Sequence, residues 1–437
     1  MTRLHATEVG RRVALSGLLP ETAHFLIAYA AARAADLAPL LPDEAGRGGD
    51  APSLNFCFLT AALMSPDFSG LARTRFIPFG FEDPQPAPLA ARCAPLLAER
   101  PWQPHRASVN AAALLLDWID GAPLASLEGR YRAVRAGTVE GLCREVAWCL
   151  AGFADALAAA TKAEVDPAER PRPLRGSTPQ TLVDVRRLLP SLRLLTRRLG
   201  AGLPEPALWL REARGDDGRV LVSRREAVSL HRRGLADHLS LRQRANWNDV
   251  VSALKADGVP DAQKRAALIQ KLAHDWHMAV REKARARQGR HAGPAGAALI
   301  EAYYAGRDKE FEGALERLLG FAGVGFTRFD DGRRPGAFDY LLHVEARPDF
   351  PLECKSKQGS GLVALNEATD VLRATELHGH AGAACATLCQ PGVDPNAAAA
   401  LVGCTRLCVV EAHDLAEVLV QVAQGRASPQ DLHDWLS

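Results

Sequence analysis

Across 23–40, 108–119 and 138–160, apolar residues recur every three or four positions, as in Leu142, Val146, Leu150, Phe153 and Leu157. This spacing predicts amphipathic helices that each turn one face to a core. Gly121 is placed to end the second helix and Thr138 to cap the third. Pro and Gly mark loops at 46–52 and 83–88. A polar, proline-bearing stretch at 166–173 reads as a linker, followed by a basic segment at 180–200 that Pro190 interrupts. Two short helices are expected within 204–241. One long basic helix is expected over 259–287, starting at Asp261, with a second linker at 289–296. Beyond it the period changes. A helix at 298–320 is followed by apolar runs of strand length at 324–329, 338–345 and 352–357, a helix at 362–378, strands at 383–389 and 405–410 with a helix between, and a last helix at 415–424. That order predicts an α/β layout around one mixed sheet. The expected organisation is a helical region at 1–165, a second helical region at 174–240, a basic connector at 241–297 and an α/β domain at 298–437.

With 437 residues, 47% hydrophobic and 24% charged, the chain has the composition of folded domains, which excludes disordered and collagen-like classes. No apolar run reaches the ~18 residues of a membrane span, and 1–12 carries Arg3, Glu8, Arg11 and Arg12 where a secretory signal needs an apolar core. Nine cysteines, an odd number, fit a reducing compartment better than a disulfide framework. The expectation is a soluble, cytoplasmic protein without a membrane partner. The net charge of +2 hides a split, since 301–437 carries 12 basic against 20 acidic side chains, whereas 171–290 carries 25 against 12. Such asymmetry bears on partners, and a cationic middle suits a polyanion.

Candidate chemistry lies in two of the strand-like runs. Asp339 stands in Ala337-Phe338-Asp339-Tyr340-Leu341-Leu342, and fourteen positions on comes Leu352-Glu353-Cys354-Lys355-Ser356-Lys357. Alternate strand residues share a face, so Glu353, Lys355 and Lys357 point one way while Leu352 and Cys354 point the other. Pairing of the two strands as a hairpin brings Asp339 beside Glu353. Two carboxylates make a hard oxygen site suited to Mg²⁺ or Mn²⁺, which lowers the pKa of a bound water and offsets charge on a phosphodiester. A neighbouring Lys can then assist the nucleophile.

This stretch resembles the PD-(D/E)XK nucleases of the restriction-endonuclease-like fold, nearest their Mrr-like and junction-resolvase-like branches, with Phe338 in place of the usual Pro. The resemblance covers roughly 300–425. It implies metal-dependent DNA cleavage with Asp339, Glu353 and Lys355 as catalytic residues. Glu312, in Phe311-Glu312 ahead of Leu315, Leu318 and Leu319, becomes a further catalytic acid on the preceding helix, either an extra metal ligand or a support for the metal through its ligands.

A second resemblance covers the first 240 residues. Leu54-Asn55-Phe56, Met64-Ser65-Pro66-Asp67-Phe68, and Leu114 through Asp117-Trp118-Ile119-Asp120-Gly121-Ala122-Pro123-Leu124 with Tyr131 after them are similar to the helical ratchet region of Ski-type superfamily-two helicases. Leu195 to Leu203 and 219–241 look like their helix-hairpin-helix, with Asp217-Gly218-Arg219 departing from its Gly-x-Gly turn. A Gly-rich phosphate loop ending in Gly-Lys-Ser/Thr is missing from the sequence, so no ATPase can be read from it. The resemblance implies DNA-guiding domains that serve a separate helicase or ATPase partner, in antiviral defence or DNA repair. Candidate nucleic-acid contacts are Arg186, Arg187, Arg193, Arg197, Arg198, Arg224, Arg225, Arg232, Arg233 and Lys357, with Lys264, Arg265 and the run 281–290.

Competing readings stand beside these. Glu353 and Lys355 can form a surface ion pair in a catalytically inert adaptor that completes a helicase. Cys385, Cys389, Cys404 and Cys408 have ligand-like spacing but lie on strands that read as buried, about 13 Å apart within each pair, and read as core. His274 and His277 lie one turn apart without nearby cysteines. His343 and Glu345 share the strand face of Asp339 by parity.

Overall fold

The computed structural model describes residues 6–42, 48–68, 87–98, 102, 104–131, 134–214, 218–358, 361–401 and 403–437. Asp217, residues 83–86 and part of the expected 46–52 loop lie outside the described residues. The chain is mostly helical, with a five-stranded mixed sheet toward its C-terminus, and it divides into two compact units, Met1–Ala236 and Asp237–Ser437. No single helix among the described residues is long and apolar enough to cross a membrane.

The first unit contains α1 (Glu8–Ser16), α2 (Pro20–Leu37), α3 (Ala51–Met64), α4 (Ala87–Leu97), α5 (Arg106–Ile119), α6 (Leu124–Arg130), α7 (Ala136–Ala160), α8 (Pro179–Arg187), α9 (Leu189–Ala201), α10 (Leu208–Glu212) and α11 (Arg224–Arg232). Helix α3 is buried from Ser53 to Leu63, all round rather than on one stripe, as befits a central helix. Helix α7 buries Val139, Leu142, Val146, Leu150, Phe153 and Leu157 and packs against α1, α2, α3 and α9. Thr138 lies inside its first turn; the cap position is Arg135, whose side chain makes no capping bond. Pro190 falls near the start of α9, where its missing N–H costs nothing.

The expected separation of 1–165 from 174–240 is not what forms. Two short 3-10 turns, Pro167–Glu169 and Arg172–Leu174, close the supposed linker, and Leu174 is fully buried in the same core as α7 and α9. A cation locks this junction. The Arg224 guanidinium lies 3.6 Å from the Trp118 ring centroid. It donates to the carbonyls of Gly202 (2.7 Å), Trp118 (2.9 Å) and Ala122 (2.9 Å), which satisfies the ends of α5 and α9. Gly202 ends α9 at φ 66°, and a Cβ there would meet Trp118 at 2.4 Å. Both the left-handed backbone and the close approach require glycine. Gly202→Ala is therefore expected to cost about 2–4 kcal/mol of unfolding free energy in urea titrations, and Arg224→Ala about 3 kcal/mol because three carbonyls lose a charged donor. A change within about 0.5 kcal/mol for both, the level of ordinary surface substitutions, would show that the junction does not depend on the clamp.

The second unit begins with α12 (His238–Arg242), α13 (Trp247–Ala256), α14 (Ala262–His291), α15 (Gly293–Ala305) and α16 (Lys309–Phe321). The strands β1 (Gly325–Arg328), β2 (Tyr340–His343), β3 (Phe350–Ser356), β4 (Cys385–Gln390) and β5 (Leu407–Glu411) lie in that order across the sheet. The first three are antiparallel, and β3, β4 and β5 run parallel. Helix α17 (Leu365–Leu377) connects β3 to β4, and α18 (Pro395–Ala400) connects β4 to β5; α19 (Ala412–Ala423) and α20 (Pro429–Leu436) complete the chain. One sheet face packs Tyr340, Leu342, Leu352, Ala386 and Leu388 against α15, α16, α19 and α20. The opposite face meets α17 and α18 through Leu341, Val371, Ala374, Cys385, Ala368, Cys389 and Ala397.

The basic helix is no connector. Helix α14 runs four residues past the expected end and packs against α12, α13, α15 and α19. Arg287 pairs with Glu417 at 2.8 Å, and Gln288, 1% exposed, donates to the His413 carbonyl at 2.9 Å. The second linker is likewise absent, since α15 starts at Gly293, two residues after α14 ends.

Candidate active site

Strand register brings the candidate carboxylates together. Tyr340 pairs with Leu352, so Asp339, one residue earlier, lies opposite Glu353. The Asp339 carboxylate accepts the Cys354 backbone N–H at 2.6 Å, which fixes it against β3. Alternation sends Leu352 into the core and turns Glu353 and Lys355 to the α17 face. The Lys355 ammonium is 2.6 Å from Glu353 Oε1 and 3.7 Å from Asp370 on α17. Glu353, Lys355 and Asp370 open on a cleft of about 400 Å³ lined also by Pro335, Gly336, Ala337 and Arg373.

Burial dominates the electrostatics. Desolvation and the Glu353 charge push the Asp339 carboxyl up to about 7, and Glu312 adds to the push, while the Cys354 amide and Lys355 oppose it. Burial likewise raises Glu353 against the pull of Lys355. Lys355 sits above its ordinary value: burial acts against its charge, but the Glu353 hydrogen bond and the surrounding carboxylates outweigh it. Glu353 is 8% exposed and its Oε2 has no hydrogen-bond partner among the described residues. Two desolvated carboxylates beside each other, one oxygen left bare, fit a divalent cation better than they fit each other.

Glu312 lies on the first turn of α16, which Asp308 fastens to the end of β3: the Asp308 N–H donates to the Ser356 hydroxyl at 2.7 Å, and that hydroxyl donates to Asp308 Oδ1 at 3.0 Å. The Glu312 carboxylate is engaged by Arg328 of β1, which also reaches Glu316 at 3.3 Å. It therefore acts on Asp339 through its charge rather than as a converging ligand. Among the described residues no group of three or more His, Cys, Asp or Glu side chains is gathered around one point that could hold a metal ion; the site is the Asp339–Glu353 pair.

The basic candidates separate by their partners. Arg197 pairs with Glu212 and Arg198 with Asp120 at 2.6 Å. Arg232 donates to the Gly121 carbonyl and Arg233 to Ser229. Arg224 is the internal clamp, and Lys357 is tied to Glu367 at the start of α17. In the 281–290 run, Arg281 is 6% exposed and Arg285 pairs with Glu282 and Glu301. Arg186, Arg187, Arg193 and Arg225 are exposed, with no ion pair among the described residues. His343 bonds Thr327 and Asp349 at the far end of β2, away from Asp339.

Sequence reasoning missed Asp370 and Arg373; a polar pair three apart on a helix expected to cover the Glu-x-Lys face was the available signal. It also missed a nest at the end of β5. There the partly buried Glu411 lies 3.1 Å from His277 and 3.4 Å from His413, and the His238 ring is 5.6 Å from that of His277. Compared with protein-family profiles and with curated proteins, the chain matches none.

In divalent-free buffer the Asp339 and Glu353 charges oppose folding. A carboxyl raised in the folded state leaves stability intact below about pH 4 and lowers it as pH climbs toward 7. Asp339→Asn is thus expected to raise unfolding free energy at pH 8 by on the order of 1–3 kcal/mol, with the gain vanishing near pH 4. Equal pH profiles for the two proteins, followed by urea titration, would show that the pair carries no such tension.

Proposed function

We propose that this protein is a divalent-metal-dependent nuclease that hydrolyses DNA phosphodiesters through its C-terminal unit, a restriction-endonuclease-like domain. The carrying observation is the bare, buried Glu353 Oε2 beside Asp339, with the Lys355 ammonium at 2.6 Å from the same carboxylate. Asp339 and Glu353 would hold Mg²⁺ or Mn²⁺, which when bound supplies an acidified water and charge neutralisation at the phosphate. Lys355 donates to the attacking water and keeps it oriented. Asp370 holds the ammonium over the cleft, and Arg373 stands where the phosphate oxygens gather negative charge in the transition state. The water releases a proton to solvent as its oxygen bonds to phosphorus, the bond to the leaving strand oxygen breaks, and that oxygen takes up a proton from solvent. Glu312 tunes Asp339 at a distance.

The first unit is read as a helicase-like ratchet with helix-hairpin-helix elements that guides a strand by backbone charge, and a separate helicase or ATPase supplies the motor, in antiviral defence or DNA repair. Of the first unit's arginines considered for strand contact, Arg186, Arg187, Arg193 and Arg225 remain available. The competing reading, a catalytically inert adaptor, draws on the engagement of Glu312 by Arg328, which leaves two carboxylates rather than three.

A nicking assay on supercoiled DNA with Mg²⁺ or Mn²⁺ separates the two. Wild type is expected to cleave, Lys355→Ala to lose about 10²–10³ in rate, and Asp339→Asn and Glu353→Gln at least as much. No metal-dependent cleavage by wild type, or cleavage that Lys355→Ala leaves untouched, sinks the nuclease reading. Strand binding is tested separately. Replacing Arg186, Arg187, Arg193 and Arg225 with Gln together is expected to shrink the slope of log affinity against log salt for single-stranded DNA by up to about 3, and an unchanged slope removes these four from the interface.

A further inference from the structure

A second pocket lies wholly within the first unit. It encloses about 420 Å³ between α5, α7, α9, α10 and α11, with Trp118, Cys143, Ala147 and Leu199 as apolar wall. Its charged lining is Arg144, Arg211 and Arg224 against a single carboxylate, Glu140. Arg211 donates one Nη1 bond to the Val222 carbonyl, and Arg224 spends Nε and Nη2 on three carbonyls. Neither has a carboxylate within ion-pair distance among the described residues. The ionisable side chains that bear on them, the Cys143 thiol aside, are cations: Arg214 acts on Arg211, and Arg232 and Arg211 act on Arg224. Burial is the main cause that lowers both groups, and Arg224 falls to about 10. Elsewhere in this unit basic side chains of the same helices find acids, as Arg197 finds Glu212 and Arg198 finds Asp120. Like charges held together, half out of water and without counter-charge, are costly unless an anion completes them. The guanidinium forks also match phosphate oxygens in geometry.

We propose that this pocket binds a phosphate monoester, with Arg211 and the free Nη1 of Arg224 on the phosphate, Arg144 at the rim, and the apolar wall against the organic group that carries it. Arg144 already lies 3.8 Å from Glu145, so the two lining cations without a carboxylate, Arg211 and Arg224, match the charge of a dianion, and the volume exceeds what phosphate alone fills. Two sources share this chemistry: a free nucleotide, and the phosphorylated end of a nucleic-acid strand. The inference is independent of the nuclease reading, since none of its residues belongs to the Asp339–Glu353 pair or to the cleft that Glu353 and Lys355 line.

Calorimetric titration of the full-length protein in divalent-free buffer, where no cleavage occurs, tests it with adenosine 5′-monophosphate, adenosine and inorganic phosphate. Saturable one-to-one binding of the nucleotide is expected, with phosphate weaker and adenosine weakest. Arg211→Gln is expected to lower nucleotide affinity about tenfold or more, with Arg211→Lys between. Because Arg224 also clamps the fold, Arg211 and Arg144 carry the test, and thermal unfolding of each variant checks that the unit remains folded. Short single strands with 5′-phosphate or 5′-hydroxyl ends then assign the source. An Arg211-dependent preference for the phosphorylated end identifies a strand terminus, and nucleotide binding without that preference identifies a free nucleotide. Equal affinity for adenosine and its monophosphate, or nucleotide affinity that Arg211→Gln leaves unchanged in a folded protein, overturns the proposal.

Discussion

Two carboxylates taken out of water side by side are the constraint around which the C-terminal unit is arranged. Leaving Asp339 and Glu353 charged at neutral pH opposes folding, so the surrounding structure has to hold them in place. It does so with rigid backbone: the Cys354 amide fixes Asp339, the hairpin register fixes its distance from Glu353, and Lys355 supplies the compensating charge from the same strand. The helices on the other sheet face, packed through Tyr340, Leu352 and Leu388, keep those strands from relaxing. The Asp308–Ser356 bracket then sets the start of α16 at the end of β3, so that one more acid, Glu312, bears on the pair without joining it.

The second unit was legible to the extent that period-two alternation carries its information. All five strands and the helices between them lie close to where apolar spacing places them, because a sheet with helices on both faces leaves little freedom in which residues turn inward. The neighbourhood of Asp339 and Glu353 was legible for the same reason: parity and a hairpin together determine which side chains share a row. Asp370 and Arg373 were not, because whether a polar helix residue faces solvent or a cleft depends on how the helix is rotated against the sheet. The extent of burial at Glu353 was equally hidden, since alternation tells direction and not depth.

Positive charge was the least informative signal. Sequence counts charges but not counter-charges, and only the fold shows that most of the candidate arginines already hold a partner within the protein. Arg224 looks on paper like its neighbour Arg225; one is a stacked interior cation holding three carbonyls, and the other is exposed. Domain division failed for a related reason. Proline and polar residues at 166–173 and glycines at 289–296 are compatible with linkers, but Leu174 and Gln288 are buried on either flank, and buried anchors keep short irregular segments inside a unit.

The division of the chain after Ala236 has an electrostatic meaning. From residue 298 onward the chain carries 12 basic and 20 acidic side chains, a surplus of the sign that repels polyanions; from Asp237 onward it carries 23 and 26. The thirty-residue helix built into the wall of the sheet domain therefore works as ballast. It brings that half of the molecule close to neutrality, so the sheet without its cationic helices would present a markedly anionic surface.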